Sequence, residues 1–281
     1  MRALTPLVLL ASLSLSPAAL AQPRRTVKGV ELKTYEFKES GDTLEYALFV
    51  PATYNRARPA PLIVGLHGLG GRPMSFMRFE GLTALAESRG YLVVAPMGFN
   101  PSGGYGSLGT GRGFALFRGA GMKEPENLGE LSELDVMHVL AIVRESYNVD
   151  ARRIYLFGHS MGGGGAWHLG IKYPDLWAAL APVSPAIYTP PDALESITHT
   201  PVIVIQGDQD RLVNVNMTRR WVEKMKELGM TYRYIEVPGG DHSGVIERSP
   251  ENIRSIFDFF EKARRAPGLG LPASGETRVP R

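Results

Sequence analysis

Apolar runs bounded by proline and glycine alternate along this chain with segments whose apolar positions recur every three or four residues. The runs read as strands: Glu45–Val50, Pro61–Leu66, Tyr91–Ala95, Arg153–Phe157, Leu180–Val183, Pro201–Ile205 and Tyr232–Val237. An earlier run, Tyr35–Lys38, is expected to pair with the first of these as a hairpin through Ser40, Gly41 and Asp42. Val136, Leu140, Val143 and Tyr147 share one helix face, and so do Met217, Trp221, Met225 and Leu228, which end at Gly229. Ser249 and Pro250 open a last helix whose stripe is Ile253, Ile256, Phe257 and Phe260. Such alternation predicts an α/β domain, a mostly parallel eight-stranded sheet with helices on both faces.

Two stretches fall outside the alternation. Gly98 to Gly121 holds nine glycines together with Phe99, Tyr105, Phe114 and Phe117. A loop that long is usually functional or disordered, and Phe99, Tyr105 and Phe114 are its candidate substrate-binding residues, the alternative being that its aromatics pin the loop to the body. From residue 264 the chain lacks an apolar face and reads as a flexible tail to residue 281.

The formal net charge of +3 resides in the ends. Setting aside residues 1–21 and the tail leaves 26 basic and 27 acidic residues, so no basic surface for nucleic acid is expected. The absence of cysteine removes disulfides, thiolate metal sites and a cysteine nucleophile. No metal-ligand spacing, phosphate loop or dinucleotide fingerprint is present, and no cofactor is expected.

The chemistry concentrates in Gly158-His159-Ser160-Met161-Gly162, which follows a strand and opens a helix rich in small residues. A sharp strand-to-helix turn of this pattern presents a serine hydroxyl and needs glycines where side chains would collide. That hydroxyl needs a base and an orienting carboxylate, expected in chain order serine, acid, histidine. His242 follows the last strand and is the candidate base. After strand Pro201–Ile205 stand Asp208 and Asp210; Asp210, further round the loop, is the first candidate and Asp208 the alternative, with Asp241 adjoining the histidine. His67-Gly68-Leu69-Gly70-Gly71 follows another strand, so the backbone N–H groups of Leu69 and Met161 are the candidate oxyanion donors, with His67 propping the loop.

With YALFVP, PLIVGLHGLGG, YNVDARRI, GHSMGGGGAW and the DHS segment, the chain resembles the α/β-hydrolase fold enzymes over about residues 34 to 262. It is most similar to the secreted single-domain esterases that include feruloyl, acetylxylan and poly(hydroxyalkanoate) esterases. The resemblance implies a serine carboxylester hydrolase whose partner is an ester, short-acyl or carried on a polysaccharide or polyester. About 17 residues separate strand Leu180–Val183 from strand Pro201–Ile205, where lipases insert a lid, so no large lid domain is expected. A serine peptidase of the same fold is the alternative, and a binding protein on this scaffold a further one.

Residues 1–21 read as a cleaved signal peptide: Arg2, an apolar segment Leu7 to Leu15, and Ala19-Leu20-Ala21. The expectation is a catalytic domain over residues 22–263, secreted or periplasmic, without a membrane anchor. Protein recovered outside the cytoplasm should begin at Gln22 by N-terminal sequencing, and an intact Met1 would contradict export.

Overall fold

The computed structural model describes residues 26–109 and 124–265. In chain order these form β1 (Val30–Phe37), β2 (Asp42–Phe49), β3 (Ala60–Leu66), α1 (Pro73–Met77), α2 (Leu82–Arg89) and β4 (Leu92–Pro96). Then follow α3 (Leu128–Ser146), β5 (Val149–His159), α4 (Met161–Lys172), β6 (Ala179–Val183), β7 (Val202–Gly207) and α5 (Val215–Glu227). β8 (Tyr232–Val237), α6 (Gly244–Glu247) and α7 (Pro250–Lys262) complete the series.

The eight strands make one sheet in the order β1-β2-β4-β3-β5-β6-β7-β8. β1 and β2 pair antiparallel, as do β2 and β4; every other neighbouring pair is parallel. This is the α/β-hydrolase arrangement the sequence implied. The central strands are buried along their length because both faces are covered. Period-two alternation assigns their residues to two cores. Leu62, Val64, Ile154 and Leu156 face α3, α4 and α5, where Val136, Leu140, Leu169 and Trp221 receive them. Ile63, Tyr155 and Phe157 face α1, α2 and α7, with the Tyr155 ring stacked on Phe260 at 4.5 Å between centroids.

Three local features depart from the sequence reading or were absent from it. β1 starts at Val30, before the expected run, because an edge strand carries polar residues on its open face. α1 and α2, of 5 and 8 residues, are too short to show a helical period. Ser249 stands at the N-cap of α7, but its hydroxyl bonds the Glu251 carboxylate and caps no backbone N–H.

Between β6 and β7 the chain makes one short 3₁₀ segment, Pro191–Ile197, and no lid domain is inserted there. Among the described residues, no helix is long and apolar enough to cross a membrane. The parallel strands direct their carboxyl ends to one edge, where an open parallel sheet builds its sites.

Candidate active site

Ser160 is the single residue between the end of β5 and the start of α4, and that placement sets its backbone at φ 59°, ψ −117°. A non-glycine residue at positive φ carries strain of about 1–3 kcal/mol, tolerated when its surroundings over-determine it. They do so here: Ser160 N–H donates to the Val183 carbonyl at 2.9 Å, and its own carbonyl accepts from Gly164 and Ala186 at 3.1 and 3.0 Å. The flanking glycines are required by close approach. A Cβ on Gly158 would lie 1.9 Å from the Gly162 carbonyl oxygen, and one on Gly162 would lie 2.2 Å from that of Leu66.

The loops after β7 and β8 bring their side chains to this serine. His242 Nε2 stands 2.8 Å from Ser160 Oγ, and its Nδ1 stands 2.7 Å from Asp210 Oδ2. Asp210 Oδ1 accepts the N–H groups of Leu212 and Val213, each at 2.9 Å. Burial opposes ionisation of Asp210, but the Val213 and Leu212 amides and the His242 imidazole outweigh it and hold the carboxyl below its ordinary value. The other two aspartates do different work. Asp208 accepts the Gly239 N–H at 2.7 Å and fastens the turn after β8, whereas Asp241 accepts the N–H groups of Ser243 and Gly244 at the start of α6.

His159 supports the histidine loop from below. Its Nε2 donates to the His242 carbonyl at 2.9 Å, and the two rings lie 4.9 Å apart. Burial pushes its pKa down to about 4, so the ring stays neutral and adds no charge beside His242 near neutral pH.

The loop after β3 lies over the serine: a Cβ on Gly68 would stand 3.4 Å from Ser160 Cβ. His67 is buried, which lowers its pKa, and its Nδ1 and Nε2 stand 2.9 and 2.8 Å from the Gly68 and Met97 carbonyl oxygens; Gly70 N–H donates to the Pro101 carbonyl at 2.9 Å. Met161 N–H belongs to the first turn of α4, where backbone donors have no intrahelical acceptor. Leu69 N–H makes no hydrogen bond among the described residues. Both candidate oxyanion donors thus belong to the segments that meet at Ser160.

Of the expected substrate aromatics, Tyr105 and Phe99 pack against the body of the domain. Tyr105 is fully buried: its ring fills the space left by Gly98 and Gly165, and its hydroxyl donates to the His67 carbonyl at 3.3 Å. It offers no surface to a ligand. Phe99 is half-buried, its ring 5.7 Å from Phe37 in a small cluster with Leu44 and Leu131 towards the β1 edge. Phe114 lies outside the described residues. Behind this loop, buried Asp135 accepts from Gly98 N–H, Phe99 N–H and the Tyr35 hydroxyl. The start of the loop, at Gly98 and Phe99, is therefore pinned from within. A cavity of about 410 Å³ opens beside His242, lined by Gln209, Arg211, Leu212, Asp241 and Ser243, none of which the sequence assigned to substrate. Among the described residues, no three His, Asp or Glu side chains are grouped to hold a metal ion.

The family model described as "Putative esterase" matches residues 38–245. A bifunctional acetylxylan esterase/xylanase from Neocallimastix patriciarum is 25% identical over 191 residues, covering 68% of this chain and 25% of that protein. The S-formylglutathione hydrolase of Rattus norvegicus is 29% identical over 147 residues, covering 50% of this chain and 51% of that one. The chain thus spans about half the length of the second relative and a quarter of the first. The crystal structure of a thermostable esterase superimposes with a TM-score of 0.65 at 27% identity, covering 84% of this chain and 64% of that chain. A ferulic acid esterase from Anaeromyces mucronatus shares the fold, with a TM-score of 0.63 at 17% identity and coverage of 88% and 96%.

Tyr105→Ala should lower unfolding free energy by about 3–5 kcal/mol in denaturant titrations while leaving the ranking among esters unchanged. An altered ranking at unchanged stability would return Tyr105 to the substrate surface. For His159, whose native pKa lies below the ordinary 6.5, stability is full above about pH 6.5. It falls by about 3 kcal/mol as pH drops to about 4, because the unfolded ring takes up a proton the native ring resists. His159→Gln should flatten that part of the stability–pH curve; a slope equal to wild type would contradict a neutral buried ring.

Proposed function

Because the chain belongs to this esterase family, matched over residues 38–245, we propose that it is a carboxylic ester hydrolase that works through an acyl-enzyme on Ser160. The observation that carries this reading is the relay from Asp210 Oδ2 through His242 to Ser160 Oγ, with contacts of 2.7 and 2.8 Å. Asp210 keeps the proton on Nδ1, which leaves the Nε2 lone pair facing the serine hydroxyl. As Oγ attacks the ester carbonyl, its proton passes to Nε2. Negative charge then grows on the carbonyl oxygen, where the N–H groups of Leu69 and Met161 receive it; each such donor contributes about 10² to 10³ in rate. His242 next gives its proton to the departing alcohol. Water, deprotonated by the same nitrogen, releases the acid.

The proton is delivered from the histidine side, so the alcohol leaves toward the cavity beside His242. Its lining of Arg211, Gln209, Asp241 and Ser243 beside Leu212 suits a hydroxyl-rich alcohol. The short β6–β7 connection keeps the site open to short-acyl or polymer-carried esters. The names of relatives that act on acetylated xylan and ferulic acid support the same substrate class. Export through residues 1–21 belongs to this proposal.

Purified protein should hydrolyse acetyl and feruloyl esters faster than peptide amides, and the reverse order would favour a peptidase. Ser160→Ala should fold normally and lose about 10⁴ or more of the turnover. Asp210→Asn should cost about 10⁴, because an amide favours the wrong imidazole tautomer. Asp208→Asn should retain most of the rate and lose only stability. Comparable losses in the two aspartate variants would contradict the assignment.

A further inference from the structure

β7 is apolar from Val202 to Ile205 and then places Gln206 in the core, fully buried, directly before the acid loop. An uncharged amide in such a position costs free energy unless every polar atom finds a partner. Gln206 finds them all. Its Nε2 donates to Asp210 Oδ2 at 2.7 Å and lies 3.4 Å from the Val213 carbonyl. Its Oε1 accepts from the hydroxyl of Thr218, itself buried on α5, at 3.0 Å. The amide can sit only one way round. A carboxylate accepts and never donates, so the nitrogen must face Asp210, and the Thr218 hydroxyl then completes the oxygen.

We propose that Gln206 is a positioning residue for the hydrolytic site, holding Asp210 Oδ2, the same oxygen that faces His242, and that Thr218 locks the Gln206 amide in that orientation. The inference rests on the roles proposed above for Asp210 and His242. Its physical content is a division of labour on one carboxylate. The backbone N–H groups of Leu212 and Val213 fix Oδ1, which leaves Oδ2 to be shared between an imidazole and the Gln206 amide. The amide does two things there. It sets the direction in which Oδ2 presents itself to Nδ1, and it draws off part of the negative charge that would otherwise stabilise a protonated imidazole. Gln206 is out of reach of solvent and substrate, so it acts through Asp210 alone.

Gln206→Met keeps the volume and removes both polar partners; Thr218→Val keeps the shape and removes only the lock. In the full chain, counted by titrating active serines with a fluorophosphonate, Gln206→Met should lower kcat by about 10- to 100-fold with KM changed less than about threefold. The acid limb of its kcat/KM profile should move to higher pH by on the order of half a unit, because Oδ2 then concentrates its charge on His242. The charged and titratable groups facing His242 are Asp210, the neutral His159 ring, Arg211 of the adjoining cavity, and Asp241 beside Arg248; of these, the substitutions alter only the surroundings of Asp210, through its contact with Gln206. Thr218→Val should shift both quantities the same way by a smaller amount. A Gln206→Met enzyme with wild-type kcat per titrated site and an unmoved acid limb would overturn the proposal. So would a Thr218→Val enzyme more impaired than Gln206→Met. Asp210→Asn run alongside separates the two claims: if it too retains full turnover, the proposed role of Asp210 fails, whereas its loss beside a normal Gln206→Met refutes the positioning role alone.

Discussion

Turning the chain from β5 into α4 within one residue forces Ser160 to φ 59°, and the surrounding structure is arranged to hold it there. The helix must start so close to the strand that Gly158 and Gly162 have no room for a Cβ. The Ser160 N–H and carbonyl are tied to the segment at the end of β6 through Val183 and Ala186. This over-determination does what a side-chain clamp could not. It leaves Oγ unobstructed above the sheet edge, where loops from β3, β7 and β8 converge on it.

The same economy of charge runs through the polar groups packed under the site. Burial lowers the pKa of His159 and of His67, and both serve as hydrogen-bonding props for the histidine and β3 loops. Asp210 is the ionised member, and its charge is divided among four donors rather than left to one. Asp135, buried under the loop after β4, bonds the N–H groups of Gly98 and Phe99 and so fixes the ground on which the β3 loop rests through Pro101. Charge is therefore carried by Asp210, directly beside the His242 ring through which proton transfer is proposed to occur.

The parallel core was legible because strands covered on both faces must be apolar throughout, as Leu62–Leu66 and Val202–Ile205 are. The serine turn was legible because its glycines answer a steric demand that few other structures make. Position round the loop ranked Asp210 ahead of Asp208 but left both open, since they lie two residues apart in one tight loop. What separates them is that the Leu212 and Val213 amides gather Asp210 while Gly239 claims Asp208. Tyr105 was misjudged for a related reason. An aromatic in a glycine-rich loop looks exposed, yet Gly98 and Gly165, distant in sequence, form the slot that buries it. Gln206 carried a signal that went unused, a lone polar side chain ending an apolar strand. Contacts between residues far apart in sequence leave no period to read.

The central claim is that Ser160 becomes acylated, and trapping the intermediate tests it without any substitution. The native protein would be mixed with a slowly released ester, quenched in acid at early times, digested with trypsin and analysed by mass spectrometry. The acyl mass should appear on the peptide Ile154–Lys172, at Ser160 on fragmentation, and should decay at the rate of turnover. Steady hydrolysis with that peptide unmodified at every time, or an acyl group carried on another residue, would contradict the account.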